Sequence, residues 1–264
     1  MNRSVLAVFL AALIVVGAAL AGCTGTQTPT TPPTTTVQVK TYIVGIDGEY
    51  PPYSYVDPKG NVTGFDVDSM RWIAQKKGFK VEFQPTAWDG IIPALQAKKI
   101  DIIYSGMTIT DERKEKVNFS IPYWKVNQSV AIHNDSTWTM QEFLAGNLSV
   151  GAQRGTTGQF WVEENLIAPG KMPKEKLILY DNFPLVATDL QNKRIDAAIY
   201  DRPPMLDAIE EKPLHIIGEI DTNEVYGVAI RKEDTELLKM INEGLTELMK
   251  DPYWEELKVK YEMG

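Results

Sequence analysis

From about Val37 to Gly264 the chain alternates short β-branched runs with segments of helical length, and this alternation limits the fold more than any other feature. Thr41 to Ile46 reads as a strand ending at Asp47. Asp66 to Lys77 reads as a helix, with acidic residues in its first turn and Gly78 as its stop. Val81 to Gln84 is the next strand. Trp88 to Lys98 is the next helix, with Asp89 as N-cap and Pro93 near enough to the first turn to be tolerated. Ile100 to Tyr104 reads as a strand, and Thr110 caps a short charged helix over Asp111 to Lys116. The second half repeats the rhythm. Strands are expected at Leu148–Ala152, Leu177–Tyr180, Ala197–Tyr200 and Val225–Ile230. Helices are expected near Gln159–Leu166, Pro184–Gln191, Pro204–Glu210, Glu236–Met249 and Tyr253–Val259. Such a pattern means α/β with mainly parallel sheets, whose ligand sites lie past the carboxyl ends of the strands.

The N-terminal residues follow another rule. Arg3 precedes an apolar run from Val5 to Ala21, about 17 residues where ~20 are needed to span a bilayer. The run ends in Leu20-Ala21-Gly22-Cys23, small side chains directly before the only cysteine of the chain. This resembles a lipobox. Residues 1–22 then form a cleaved signal peptide and Cys23 becomes the lipid-modified first residue; the alternative is a signal anchor with an incidental cysteine. One thiol excludes a disulfide within the chain. Residues 23–36 are Thr, Pro, Gly and Gln with almost nothing apolar. They cannot bury enough surface to offset chain entropy and read as a disordered tether.

Composition removes several classes. The formal charge of −8, a pI near 5.0 and the lack of any Lys/Arg run argue against nucleic acid. No apolar stretch after Cys23 is long enough to cross a membrane. The only histidines are His133 and His215, remote from the strand ends, and no Ser-His or Cys-His pairing is visible. Neither a catalytic centre nor a metal or other cofactor is therefore expected. Five Asn-X-Ser/Thr triplets, at Asn61, Asn118, Asn127, Asn134 and Asn147, exceed what composition suggests.

Polar and aromatic residues gather at or just past the strand ends. Asp47 and Tyr50 follow the first strand. Ser105, Gly106 and Thr108 follow Ile100–Tyr104, with Arg113 a few residues on. Gln153, Thr156 and Thr157 follow Leu148–Ala152; Tyr200 and Asp201 close the Ala197–Tyr200 strand. Each alone has a bland explanation. Arg113 lies in a charged helical run, Asp201 precedes Arg202-Pro203-Pro204 and suits a turn, and Tyr50 and Trp88 suit a core.

Together they match a family. Tyr50-Pro51-Pro52-Tyr53 and Gly64-Phe65-Asp66-Val67-Asp68 resemble the opening of family 3 solute-binding proteins. Trp88 to Leu95, Asp101, Ser105 to Arg113 and Phe119-Ser120-Ile121-Pro122-Tyr123 resemble its central block. Gly151 to Gly158 and Ala198-Ile199-Tyr200-Asp201 resemble the two ligand segments of the other lobe. The likeness runs from Thr41 to Tyr261, with Ser69 as a departure where an apolar helix residue is usual.

The resemblance implies a two-lobe, type II periplasmic-binding-protein (Venus-flytrap) fold. Residues 37–126 with 224–264 would form one lobe and 127–223 the other, hinged near Trp124–Ser129 and Thr222–Tyr226. It implies an extracytoplasmic monomer that delivers a free amino acid to the permease of an ABC importer. Arg113, with Thr108 and N–H groups near Thr157, would take the ligand carboxylate, and Asp201 the ammonium. Tyr50 and Trp88 would sandwich the side chain. Asp47 is then left over, which favours a cationic ligand (arginine, lysine or histidine), with glutamine close behind. The rival readings are an amino-acid sensor without a transporter, and a dehydratase on the same fold.

Overall fold

The computed structural model describes residues 39–263; the expected signal peptide, Cys23 and the tether lie outside them. Two five-stranded sheets organise the chain, one in each of two lobes. The first has the order β5 (Lys80–Pro85), β1 (Thr41–Ile46), β6 (Ile102–Ile103), β13 (Ala229–Ile230) and β7 (Asn118–Phe119). The second has the order β10 (Leu177–Tyr180), β9 (Val150–Gln153), β11 (Ala197–Asp201), β8 (Trp124–His133) and β12 (Leu214–Tyr226). A small antiparallel sheet, β2 (Glu49–Tyr50), β3 (Ser54–Val56) and β4 (Val62–Thr63), sits beyond the end of β1.

Neither large sheet is mainly parallel as the sequence suggests. β1 pairs in parallel with β5 and β6, and β9 with β10 and β11, but β13, β7, β8 and β12 join antiparallel. The reason is connectivity. β8 and β12 carry the chain between lobes in opposite senses, pairing Lys125 with Val225 and Trp124 with Tyr226. The expected Val225–Ile230 strand is thus two strands, the end of β12 and then β13 after Gly227 and Val228.

Helices cover these sheets for readable reasons. α1 (Phe65–Lys77) has Asp66 and Asp68 in its first turn, Lys76 and Lys77 in its last, and Gly78 in the left-handed conformation as its cap. α2 (Trp88–Gln96) is capped by Ala87 without a side-chain hydrogen bond, so Asp89 is a first-turn residue and not the N-cap. Pro93 is its sixth residue, one turn deeper than expected, and leaves the Asp89 carbonyl without its helical donor. α3 (Asp111–Lys116) is capped by Thr110, whose hydroxyl accepts the Arg113 N–H at 3.2 Å. The second lobe carries α4 (Met140–Leu144), α5 (Thr157–Val162), α6 (Phe183–Gln191) and α7 (Arg202–Ile209).

α8 (Thr235–Leu248) and α9 (Pro252–Lys260) return to the first lobe. α8 buries Leu237, Ile241, Leu245 and Leu248 on one face, each worth about 1.5–3 kcal/mol. Gly244 lies on that face too, and any side chain there would strike Ile73 of α1 at 2.5 Å. Along β8, Val130 and Ile132 face one apolar cluster while Ala131 faces another, the period-two pattern of a strand buried on both sides.

Candidate functional site

The carboxyl ends of β1, β6, β9 and β11 converge where the lobes meet. A small cavity of about 10 Å³, room for about one water, lies there. Its walls are Asp47, Tyr50, Trp88, Ser105, Gly106, Thr108, Arg113, Gln153, Thr156, Thr157, Tyr200 and Asp201, so the twelve residues gathered at the strand ends come together. A larger groove of about 980 Å³ runs past Pro51, Trp124, Arg202 and Tyr261, but it is open and has no buried charged side chain in its wall.

Local geometry fixes each group. Asp47 leaves β1 with its N–H on the Ser105 hydroxyl at 2.9 Å. Its carboxylate accepts the Glu49 N–H and the Gln153 amide, both at 2.9 Å. It thus closes its own turn and also reaches across to the second lobe, and burial pushes its pKa up. Gly106 donates its N–H to Asp66 at 2.7 Å in a left-handed conformation, φ 55°. A side chain there would lie 2.4 Å from the Tyr50 ring. Asp66 itself is fully buried, and desolvation raises its pKa to about 8.

Arg113 projects from α3 and is 6 % exposed, so its place in a charged run does not make it a solvated residue. Its guanidinium donates to the Thr108 carbonyl at 2.9 Å and across the cleft to the Gly155 carbonyl at 3.0 Å. It lies 5.6 Å over the Trp88 ring, and the indole N–H donates to the same Gly155 carbonyl at 3.1 Å. Trp88 therefore stacks on Arg113. Burial lowers the guanidinium pKa, but the group stays charged throughout the accessible range.

Asp201 ends β11 on the opposite wall. Its carboxylate accepts the Tyr226 hydroxyl at 2.7 Å, the Tyr50 hydroxyl and the Gln128 amide. Burial, and then the nearby Glu224 charge, lift its pKa to about 7. It starts α7 without capping it. Tyr50 stacks on Tyr53 at 5.3 Å and meets Tyr200 edge-on at 5.6 Å. Tyr200 stacks on Phe183 at 3.7 Å and donates to Gln153 at 2.8 Å. Thr156 caps α5, and Thr157 accepts from Gln128 at 3.3 Å.

Sequence reasoning missed Gln128, Glu224 and Tyr226. Glu224 is 9 % exposed and accepts from Thr108 at 2.7 Å, Gln128 at 3.0 Å and Thr222 at 2.8 Å. Its contacts tie both crossing strands to the first lobe. The available signal is position alone, since all three residues lie on the paired strands β8 and β12. Among the described residues no three His, Cys, Asp or Glu side chains are grouped as a metal site, and no helix is long and apolar enough to cross a membrane.

Two α/β lobes meeting at a small polar cavity are the architecture of a solute-binding protein. The chain belongs to the bacterial extracellular solute-binding proteins, family 3, whose model matches residues 42–264. It is 33% identical over 226 residues to a "Probable histidine-binding protein" of Neisseria gonorrhoeae, covering 84% of this chain and 83% of that one. It is 34% identical over 225 residues to the L-cystine-binding protein TcyJ of Escherichia coli K12, covering 84% and 82%. In structure it matches an ancestral arginine-binding protein bound to arginine, with a TM-score of 0.77 and 37% identity over 84% of this chain and 97% of that one.

Proposed function

We propose that the protein captures a free polar amino acid outside the cytoplasm and delivers it to the permease of an ABC importer, with arginine, lysine or histidine preferred over glutamine. One observation carries the preference. Arg113 faces the cavity against Asp47 and Asp201, and Glu224 lies directly behind Thr108, so three buried carboxylates stand against one guanidinium. A zwitterion's carboxylate and ammonium cancel and leave that imbalance unchanged. A cationic side chain reduces it, which matters because uncompensated buried charge is costly.

In this reading Arg113 and Thr108 hold the ligand carboxylate and Asp201 the ammonium. Asp47 meets the side chain beside Tyr50 and Trp88, while Ser105, Gly106, Gln153, Thr156, Thr157 and Tyr200 shape the remaining wall. Residues 37–126 with 224–264 act as one lobe and 127–223 as the other, turning about the paired segments near Val126 and Glu224. A ligand that touches both walls favours the closed form. Cys23 carries the lipid that holds the monomer at the membrane. Cys23→Ser should release the protein or leave it uncleaved, and normal processing with full membrane retention would refute the anchor.

In this reading the site binds its ligand unchanged; His133 and His215 lie outside the cavity wall. Asp201, lifted by burial to about 7, is suited to act as a general acid, so a dehydratase reading has one specific support. Product formed on incubation with prephenate-like substrates would establish it. A thermal-shift screen of the twenty amino acids tests the binding reading. Stabilisation by a basic amino acid or glutamine is expected; stabilisation by leucine or glutamate alone overturns it.

A further inference from the structure

Of the ten asparagines after Cys23, Asn61, Asn118, Asn127, Asn134 and Asn147 stand two places before a serine or threonine. Ser and Thr fill 29 of the 264 positions, so ten asparagines should give about one such triplet by chance. The amino-acid site uses none of the five.

The structure sorts them into two groups. Asn61, Asn134 and Asn147 are exposed. Asn61 closes the tight turn that begins at Asp57, and its amide nitrogen makes only a solvent-facing contact with Asp57 at 3.1 Å. Asn134 follows β8; its side-chain oxygen meets His215 at 2.8 Å, and its amide nitrogen has no hydrogen bond among the described residues. Asn147 follows α4, and only its backbone is hydrogen-bonded there. The hydroxyl residues two places on, Thr63, Ser136 and Ser149, are all half-buried, Thr63 meeting the Tyr261 hydroxyl at 3.2 Å and Ser149 donating to Asp196 at 2.7 Å.

Asn118 and Asn127 differ in both respects. Each is half-buried. The Asn118 amide nitrogen already donates to the Lys232 carbonyl at 3.1 Å, and Asn127 lies on β8, where its amide, with oxygen and nitrogen exchanged, donates to Asp221 at 3.2 Å. Their hydroxyl partners are sealed inside. Ser120 is 6 % exposed and bonds the Ile121 carbonyl and the Val228 N–H. Ser129 is fully buried and donates to the Tyr200 carbonyl. A sugar on either asparagine would displace packed neighbours, whereas one on the exposed three would extend into solvent.

We infer that Asn61, Asn134 and Asn147 are N-glycosylation sites and that Asn118 and Asn127 stay bare. The donor is a lipid-phosphate-linked saccharide. Its anomeric carbon–oxygen bond to phosphate breaks as the bond to the asparagine amide nitrogen forms. The amide gives up one proton and the lipid phosphate leaves. The family's extracytoplasmic setting is where such polar, bulky groups are tolerated, and none of the three approaches the cavity.

Peptide mapping by mass spectrometry of the native protein, isolated from the organism that encodes it, is the test. Peptides carrying Asn61, Asn134 and Asn147 should be heavier by a saccharide mass, with those of Asn118 and Asn127 at polypeptide mass. Asn61→Gln, Asn134→Gln and Asn147→Gln, expressed in that organism, should each lower the intact mass by one saccharide. All three exposed sites at polypeptide mass would overturn the assignment. Sugar on Asn118 or Asn127 with the exposed three bare would do so equally.

Discussion

The two walls of the cavity hold opposite charges by different means. Arg113 is fixed by carbonyl oxygens of Thr108 and Gly155 and by the Trp88 face, none of which titrates. Asp201 is ringed by neutral donors, Tyr50, Tyr226 and Gln128, with the Glu224 carboxylate close by. The basic wall is therefore a permanent charge, while the acidic wall switches near neutrality. A ligand carboxylate meets its partner charged at every pH. A ligand ammonium meets Asp201 fully ionised only above about 7.

Removing the permanent charge should cost most. Arg113→Ala should weaken binding by about 2–5 kcal/mol, since it strands a desolvated ligand carboxylate, with far-UV circular dichroism unchanged. Calorimetry giving wild-type affinity would break the comparison at its firmer side. Asp201→Asn keeps the shape and the hydroxyl contacts of the other wall. Its loss should be smaller, about 1.5–3 kcal/mol, the scale of a charge-assisted hydrogen bond. A larger loss than that of Arg113→Ala would reverse the ranking of the walls.

Protonation sharpens the contrast further. Burial lifts Asp201 from 3.8 to about 7 and Asp66 from 3.8 to about 8. Both bind protons more tightly folded than unfolded, so their contribution to stability is complete below pH ~4 and is lost as pH rises through the folded values. Ligand-free protein should melt lower at about pH 8.5 than at about pH 5.5, while amino-acid affinity should rise several-fold over the same interval. Parallel melting curves and titrations check both signs. Affinity that falls across this window would exclude Asp201 as the ammonium partner. The smallest effect belongs to Tyr200→Phe, which removes one donor to Gln153 and should cost about 0.5–1.5 kcal/mol of binding.

The chain shows most of this site because its elements end in recognisable ways. Asp47, Ser105, Gln153 and Asp201 are the first polar residues at the ends of buried β runs, and a sheet brings such ends together whatever the order of the segments. Glu224 and Gln128 were not legible, because their contact joins strands 96 positions apart. β12 also carries Gly218, Asp221 and Asn223, residues that signal turns, and its pairing slips between Ile216 and Gly218 and between Ile220 and Glu224. Local pattern reads such a segment as loop. Likewise, Arg113 lies over the Trp88 ring and Tyr53 stacks on Tyr50, a packing choice that spacing does not encode.

The central claim is that buried acidic groups select a cationic amino acid. Calorimetric titration at about pH 8, where Asp201 is ionised, against arginine, lysine, histidine, glutamine, leucine and glutamate tests it directly. Binding should be tightest for a basic amino acid and weaker for glutamine, with no heat from glutamate. Tightest binding of leucine or glutamate, with none of arginine, lysine or histidine, would contradict it.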